Sequence, residues 1–412
     1  MEYPNLLDRF LKYVKVNSRS DEYSDRFPST ERQEKFQKEV IMKDLEELGL
    51  SDVHYNQKSG CVIAELPANI DADVPVMGLL AHCDTADFNA ENVRPIVHEN
   101  YDGSKLRLGD SDFYLDPEVF PNMKKYVGQT LITASGDTLL GGDDKCGVSE
   151  LVTVAEYLLA HPEIKHGKIR FAFTPDEEIG TGVTHFDVDE FGADFAYTVD
   201  GEGPGKLDWG TFSAAAFSID IQGVNVHPAV AKGQMINAMQ VAIDFHNQLP
   251  QSERPEHTSG DQGFYHLTKL TGDVDSAHAE YIIRDFKREG LESRKALVKK
   301  IVDKMNEEFK TDRIKLAMRD QYYNMADVLK DHMDVVNLAR QAYKNCGLTP
   351  VEDPVRGGTD GSQLTYMGLP CPNIFAGEEN MHGRFEYTVL ESMYLACDVI
   401  IEMIKLNAQS AK

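Results

Sequence analysis

The sequence predicts an α/β domain, a mainly parallel mixed sheet flanked by helices, interrupted by an inserted ferredoxin-like α+β domain. Three observations predict it. Near-continuous apolar runs at 74–83, 168–175 and 195–200 read as strands buried on both faces, as in a parallel sheet. Further along, Phe217, Ile219 and Ile221 alternate with Ser218, Asp220 and Gln222, the pattern of a strand with one wet face. The buried style then returns at 372–375, so the second domain reads as an insertion rather than a C-terminal addition. With 412 residues, the chain also exceeds the size at which one hydrophobic core stops growing.

Taken in order, Ser29 and Thr30 can cap a helix that runs to about Leu48, with Gly49 as its stop. The strand at 74–83 follows. Val148, Leu151, Val152, Ala155, Leu158 and Leu159 form a helical stripe ahead of the strands at 168–175 and 195–200. In the middle part, Ala238, Val241, Phe245 and Leu249 fit a helix, and two strand-like segments follow near 266–272 and 278–287. Val298, Val302, Met305 and Phe309 make another helical stripe, and Ile314, Leu316 and Met318 alternate again. This β-α-β-β-α-β order is the ferredoxin-like unit. We place it at 213–322, with the larger α/β domain at 1–212 and 323–412. A long C-terminal helix carries Leu390, Met393, Ala396, Val399, Ile400, Met403 and Ile404.

The net charge of −26 repels phosphate backbones and anionic lipid, which argues against nucleic-acid and membrane partners. No stretch approaches the ~20 apolar residues of a membrane span. The first ten residues carry charges where an export signal needs an apolar run. The six cysteines are scattered without a Cys-x-x-Cys pair, which fits a reduced, cytoplasmic chain.

Five short elements carry chemistry. In His82-Cys83-Asp84, residues two apart on a strand point the same way, so Asp84 could orient the His82 imidazole. In Gly141-Gly142-Asp143-Asp144-Lys145, two acids precede a helix. They could cap it, or one could bridge two ions. Thr174-Pro175-Asp176-Glu177-Glu178 follows a buried strand, at the sheet edge where open α/β folds place ligands. One glutamate could coordinate metal while the other acts as general base, and a capped helix start is the alternative. Asp200 ends another buried strand, and His382 lies in a glycine-flanked loop after 372–375. Two histidines and three carboxylates at strand ends suit a pair of divalent ions with open positions.

These elements resemble the di-zinc hydrolase family that includes carboxypeptidase G, aminoacylase and succinyl-diaminopimelate desuccinylase. Its pattern is His-x-Asp, Asp-x-Lys-x-Gly, Glu-Glu, Asp and a late His. Here these are His82 and Asp84, Asp143 with Lys145 and Gly147, Glu177-Glu178, Asp200 and His382. Longer segments are similar to the family's tripeptide-aminopeptidase branch, among them Gly128-Gln129-Thr130-Leu131-Ile132-Thr133, Tyr281-Ile282-Ile283-Arg284-Asp285-Phe286 and Arg356-Gly357-Gly358-Thr359-Asp360-Gly361. The resemblance implies two zinc ions per chain, one on His82 and Asp200, the other on Glu178 and His382, bridged by Asp143. It implies Glu177 as the base that activates a water between the ions, Asp84 as support for His82, and a cis Asp143-Asp144 peptide. It makes 1–212 and 323–412 the catalytic di-zinc domain and the inserted domain its lid, in which His227 would polarise the scissile carbonyl and Arg284 would meet the peptide carboxylate. Arg356 and Gly358 would approach substrate, Asn237 would assist, and the lid would pair two chains in a homodimer. The expected activity is release of the N-terminal residue from tripeptides. A dipeptidase or N-acyl-amino-acid deacylase on the same site is the nearest alternative, and a non-catalytic metal-binding scaffold is the alternative of another class.

Overall fold

The computed structural model describes residues 2–410. The chain divides into two compact units. One comprises the chain up to Trp209, Val328–Glu352 and the chain from Thr359 onward; the other comprises Gly210–Asp327 and Asp353–Gly358.

The first unit is built on a seven-stranded sheet. Its order is Ser51–Asn56, Cys61–Leu66, Ile169–Thr174, Met77–His82, Phe195–Gly201, Asn373–Phe375 and Leu207–Asp208. The four strands from Ile169–Thr174 to Asn373–Phe375 are parallel, and the outer pairings are antiparallel. The expected mainly parallel mixed sheet is therefore what forms. The Met77–His82 and Ile169–Thr174 strands are buried along their whole length, which explains their unbroken apolar runs. Helices Gly142–Ala160 and Leu390–Gln409 contribute to the same core. His82 pairs in register with Thr174, so the carboxyl ends of these strands finish together and their following turns share one edge.

The segment expected as one helix from Thr30 to Leu48 is three. Helices Glu31–Phe36 and Met42–Leu48 flank a wide π turn at Gln37–Ile41. Gln37 is buried there, donating to Gly60 O and accepting from the Val62 amide, both at 2.6 Å. A side chain that must pair with strand backbone is a physical reason for the widened turn. Gly49 ends the run at φ 84°, the left-handed conformation glycine adopts freely.

The second unit has a four-stranded antiparallel sheet in the order Phe264–Gly272, Ser276–Asp285, Ser213–Gln222, Ile314–Tyr322. Helices Ala238–His246 and Arg288–Phe309 share its core. The element order is the expected β-α-β-β-α-β. Leu249 is buried but lies beyond its helix, which stops at His246.

Gly147 shows how tightly the catalytic helix is seated. A Cβ there would lie 2.0 Å from Val199 O and 2.4 Å from Asp144 Oδ1. We expect Gly147→Ala to destabilise the protein by at least ~2 kcal/mol, read as a lower urea midpoint at unchanged slope. An unchanged midpoint would show that the helix can shift without cost.

Candidate metal centre

The site lies at the carboxyl edge of the parallel strands. His82 is the last residue of its strand, Asp200 is the penultimate residue of the strand Phe195–Gly201, and Glu177 and Glu178 occupy the turn after Ile169–Thr174. Asp143 sits at the start of helix Gly142–Ala160, where it and Asp144 depart from helical geometry and are joined by a cis peptide bond. His382 comes from the loop after Glu378–Glu379 and has φ 67°, an uncommon conformation for a non-glycine residue.

Asp143 is the centre of the arrangement. Its Oδ1 lies 2.8 Å from His82 Nε2 and its Oδ2 lies 3.0 Å from His382 Nε2. His82 Nε2 is also 3.4 Å from Asp200 Oδ1, and His382 Nε2 is 3.1 Å from Glu178 Oε2. Ligand atoms of His82, Asp143 and Glu178 lie within 4.8 Å of one another, as do those of His82, Glu177 and Asp200, and of Asp143, Asp200 and Glu378.

Backbone contacts hold these groups. Asp84 Oδ1 lies 3.2 Å from His82 Nδ1 and accepts the Glu177 amide at 3.0 Å, while its Oδ2 accepts the Glu178 amide at 3.2 Å. One buried carboxylate thus touches both the His82 imidazole and the double-glutamate turn. Of the two readings for the Asp143-Asp144 pair, each fits one residue. Asp143 faces the histidines, whereas Asp144 accepts the Gly147 amide at 2.9 Å and the His82 amide at 3.0 Å. Lys145 is buried, donates to Val16 O at 2.6 Å, and is pulled down to about 8 by burial.

Electrostatically the cluster favours added positive charge. Burial, then the Asp200 charge, pushes Glu177 well above the usual carboxylate range. Burial and Asp143 do the same for Glu178 and Glu378, and burial raises Asp200. Burial alone would raise Asp143 too, but His382 and His82 outweigh it and hold Asp143 low. Burial alone would lower His82, yet Asp200, Asp143 and Asp84 together push it well up. Glu178 Oε1 and Glu378 Oε2 are buried without a hydrogen-bond partner among the described residues. Convergent imidazoles and carboxylates with orphaned oxygens fit a pair of divalent cations, which would replace the protons the acids otherwise need.

Three participants were not read from the sequence. Glu378 opens a short strand beside the cluster and follows the buried strand Asn373–Phe375 by three residues, the same spacing at which Glu177 follows Ile169–Thr174. Glu386 is buried and accepts the amides of Leu140 and Gly141 at 2.8 Å and of Asp143 at 3.0 Å, so it fixes the Asp143 loop. Asp360 is buried, accepts from Thr174 Oγ1 at 2.6 Å, and is pushed up to about 7 by burial. Neither Glu386 nor Asp360 has a local pattern that announces it.

The remaining expected residues lie in the second unit. His227 is exposed, and the Ala229 amide donates to its Nδ1 at 3.2 Å. Asn237 caps helix Ala238–His246, accepting the Met239 amide at 3.0 Å. Arg284 donates to Gln321 Oε1 at 3.0 Å and lies over the Tyr322 ring; it makes no salt bridge to Asp285, which faces Arg294 instead. Arg356 donates to Thr258 Oγ1 and Gly260 O and lies over the rings of Phe212 and Phe264. A Cβ on Gly358 would meet the Tyr322 ring at 2.4 Å, so packing alone requires that glycine.

Comparison with known proteins gives a consistent picture. Residues 209–313 match the family described as the peptidase dimerisation domain. The chain is 76% identical to a peptidase T of Lactobacillus helveticus, with 100% of both chains covered. It is 55% identical to a peptidase T of Streptococcus pneumoniae, over 98% of this chain and 100% of that one. Among solved structures, it resembles an aminopeptidase PepT of Bacillus cereus (TM-score 0.77, 21% identity, 99% of each chain). It also resembles a tripeptidase of Staphylococcus aureus (TM-score 0.80, 22% identity, 100% of each chain). A dinuclear metal-binding peptidase of the M20 family from Bacillus subtilis has the same fold (TM-score 0.62, 16% identity, 99% of each chain).

Metal binding at this centre would couple to stability. After chelation, adding a divalent ion at about a hundred times its Kd should stabilise the fold by ~2.7 kcal/mol and raise the melting temperature. Asp143→Asn should lose most of that shift. A chelated protein whose melting is indifferent to zinc, manganese and cobalt would exclude the site.

Proposed function

The chain belongs to the peptidase T family of metallopeptidases, and from that membership we propose that it releases the N-terminal residue from tripeptides with two zinc ions. The observation that carries the reading is Asp143, whose two carboxylate oxygens face two different histidines while Glu177 stands in the same cluster. That is the layout expected of a bridging ligand beside a base.

The residues divide the work. His82 and Asp200 would hold one ion, Glu178 and His382 the other, and Asp143 both. Imidazole nitrogen and carboxylate oxygen are both good zinc ligands. When bound, the ions supply Lewis acidity to the attacking water and to the peptide carbonyl. Glu177 takes the proton from that water and passes it to the leaving amine. Its carboxylate lies in the same cluster as His82 and Asp200, within reach of a water held there. Asp84 orients the His82 ring and anchors the Glu177 and Glu178 amides, so it keeps base and ligands in mutual register.

The second unit supplies the further groups. His227 would polarise the carbonyl through its other ring nitrogen, and Arg284 would meet the substrate carboxylate. Asn237, Arg356 and Gly358 would shape the surface that substrate meets. We infer a homodimer through this unit from the match of residues 209–313 to a peptidase dimerisation domain. A cytoplasmic setting suits the six free cysteines, five of them buried. No helix among the described residues is long and apolar enough to cross a membrane.

Two measurements test this. Glu177→Gln should keep both metals by elemental analysis yet lose roughly a hundred- to ten-thousand-fold in kcat; near-wild-type turnover would remove Glu177 as the base. Across free tripeptides, dipeptides and N-acylated amino acids, tripeptides should give the highest kcat/KM, with release of the first residue. A preference for either other class would make the chain a dipeptidase or a deacylase.

A further inference from the structure

Beside His382 the first unit opens a cavity of about 620 Å3 whose lining includes Phe120, Phe385, Glu379 and Glu202. It shares Asn122, Glu202 and Glu379 with a second cavity of about 570 Å3, so the space continues away from the metal centre. Both volumes lie in the range of small-ligand sites.

The two ends differ chemically. Near His382 the wall is aromatic: the Phe120 and Phe385 rings stand 5.2 Å apart. Deeper in, the wall is charged: its lining carries Glu202, Glu379 and Glu391 together with Lys125 and Lys206, and Lys206 is paired with Glu202. Glu378 and Glu379 are consecutive on a strand, so their side chains leave on opposite faces. Glu378 joins the metal cluster, and Glu379 lines the cavity. Glu379 is only 9% exposed and makes no ion pair among the described residues. Its position is nonetheless fixed, since Asn122 donates to one oxygen at 2.6 Å and the Tyr126 hydroxyl to the other. Room for the carboxylate depends on Gly203, where a Cβ would come within 2.6 Å of Glu379 Oε1. A carboxylate has about four acceptor positions, so two donors leave capacity for another.

A buried acid without an ion pair, lining an aromatic-walled cavity that opens beside His382, is complementary to a long side chain with a positive end. Lysine and arginine lay their apolar stems on such walls while the charged head finds a counter-ion. We propose that this cavity receives the side chain of the substrate's N-terminal residue and that Glu379 selects a cationic one. The inference rests on the tripeptide aminopeptidase reading and adds a specificity determinant to it. Glu379 touches the side chain alone, so it biases binding and leaves the chemistry to the metal centre. Glu202, exposed at the cavity's rim, is paired with Lys206 at 3.8 Å and so adds little to this selection.

The test compares kcat and KM for Lys-Gly-Gly and norleucyl-Gly-Gly, whose first residues differ chiefly in the ammonium group. The metal-loaded wild type should favour Lys-Gly-Gly in kcat/KM by about tenfold or more, the size of a charge-assisted contact, and mainly through KM. In Glu379→Gln that ratio should fall towards one, with circular dichroism and metal content unchanged. Raising salt on the wild type probes the same contact without a variant, and should reduce the ratio. Efficient cleavage of both peptides with a wild-type ratio near one, or a ratio unmoved by Glu379→Gln in a folded variant, overturns the subsite and leaves the peptidase reading standing. Failure to cleave either peptide overturns both.

Discussion

The Asp143 carboxylate, placed between His82 and His382, is the contact on which the rest of the centre depends. An ionised acid among other buried acids is costly, and two histidines alone do not neutralise the surrounding Glu177, Glu178, Asp200 and Glu378. The fold resolves this by converging groups that a divalent pair can satisfy, and by fixing them through backbone amides rather than through mobile lysines. Asp84 takes two amides, Asp144 two and Glu386 three. Each of these acids spends its charge on N–H groups and thereby locks a turn, which leaves the others for metal and proton chemistry.

Those anchors also explain why distant chain segments meet with the required accuracy. Glu386 follows His382 by four residues and grips the loop that carries Asp143. The late histidine and the central aspartate are thus held by the same short stretch of chain. Gly147 lets the helix behind Asp143 press onto the strand that delivers Asp200. Asp84 does the equivalent between His82 and the glutamates. The geometry is a closed set of such ties, and loosening one should be felt at more than one ligand.

Much of this was legible in the sequence, for identifiable reasons. Strands buried on both faces write continuous apolar runs, and half-wet strands write alternation, so the sheet type and the β-α-β-β-α-β order could be read from Leu79, Phe171 or Phe217 and their neighbours. Strand ends then pointed to His82, Glu178 and Asp200. What stayed hidden were groups whose partners are tertiary. Glu386 and Asp360 look like ordinary loop acids until the amides of Leu140 and Gly141 and the hydroxyl of Thr174 are seen against them. Gln37 is the same kind of case: a polar residue in a helical stretch whose amide belongs to the Cys61–Leu66 strand. Asp143 and Asp144 show the limit most plainly. A capping acid and a metal-facing acid look alike in sequence, and only the backbone, by turning one away from the other, separates their roles.

The same turning operates at Glu378 and Glu379, and there it bears on what kind of enzyme this is. Strand alternation sends one glutamate to the metal cluster and its neighbour to the adjoining cavity. Catalytic demand constrains the first, because an extra carboxylate beside Asp143 and Asp200 alters the charge the ions must balance. The second is free of that demand. Its carboxylate is held by Asn122 and Tyr126, groups outside the ligand set. Change at Glu379 could therefore retune which residue the enzyme prefers to release while leaving the ligands in place. Placing selectivity on the far face of a strand whose other face meets the metal cluster keeps it close enough to sense the first residue of the substrate and separate enough to vary.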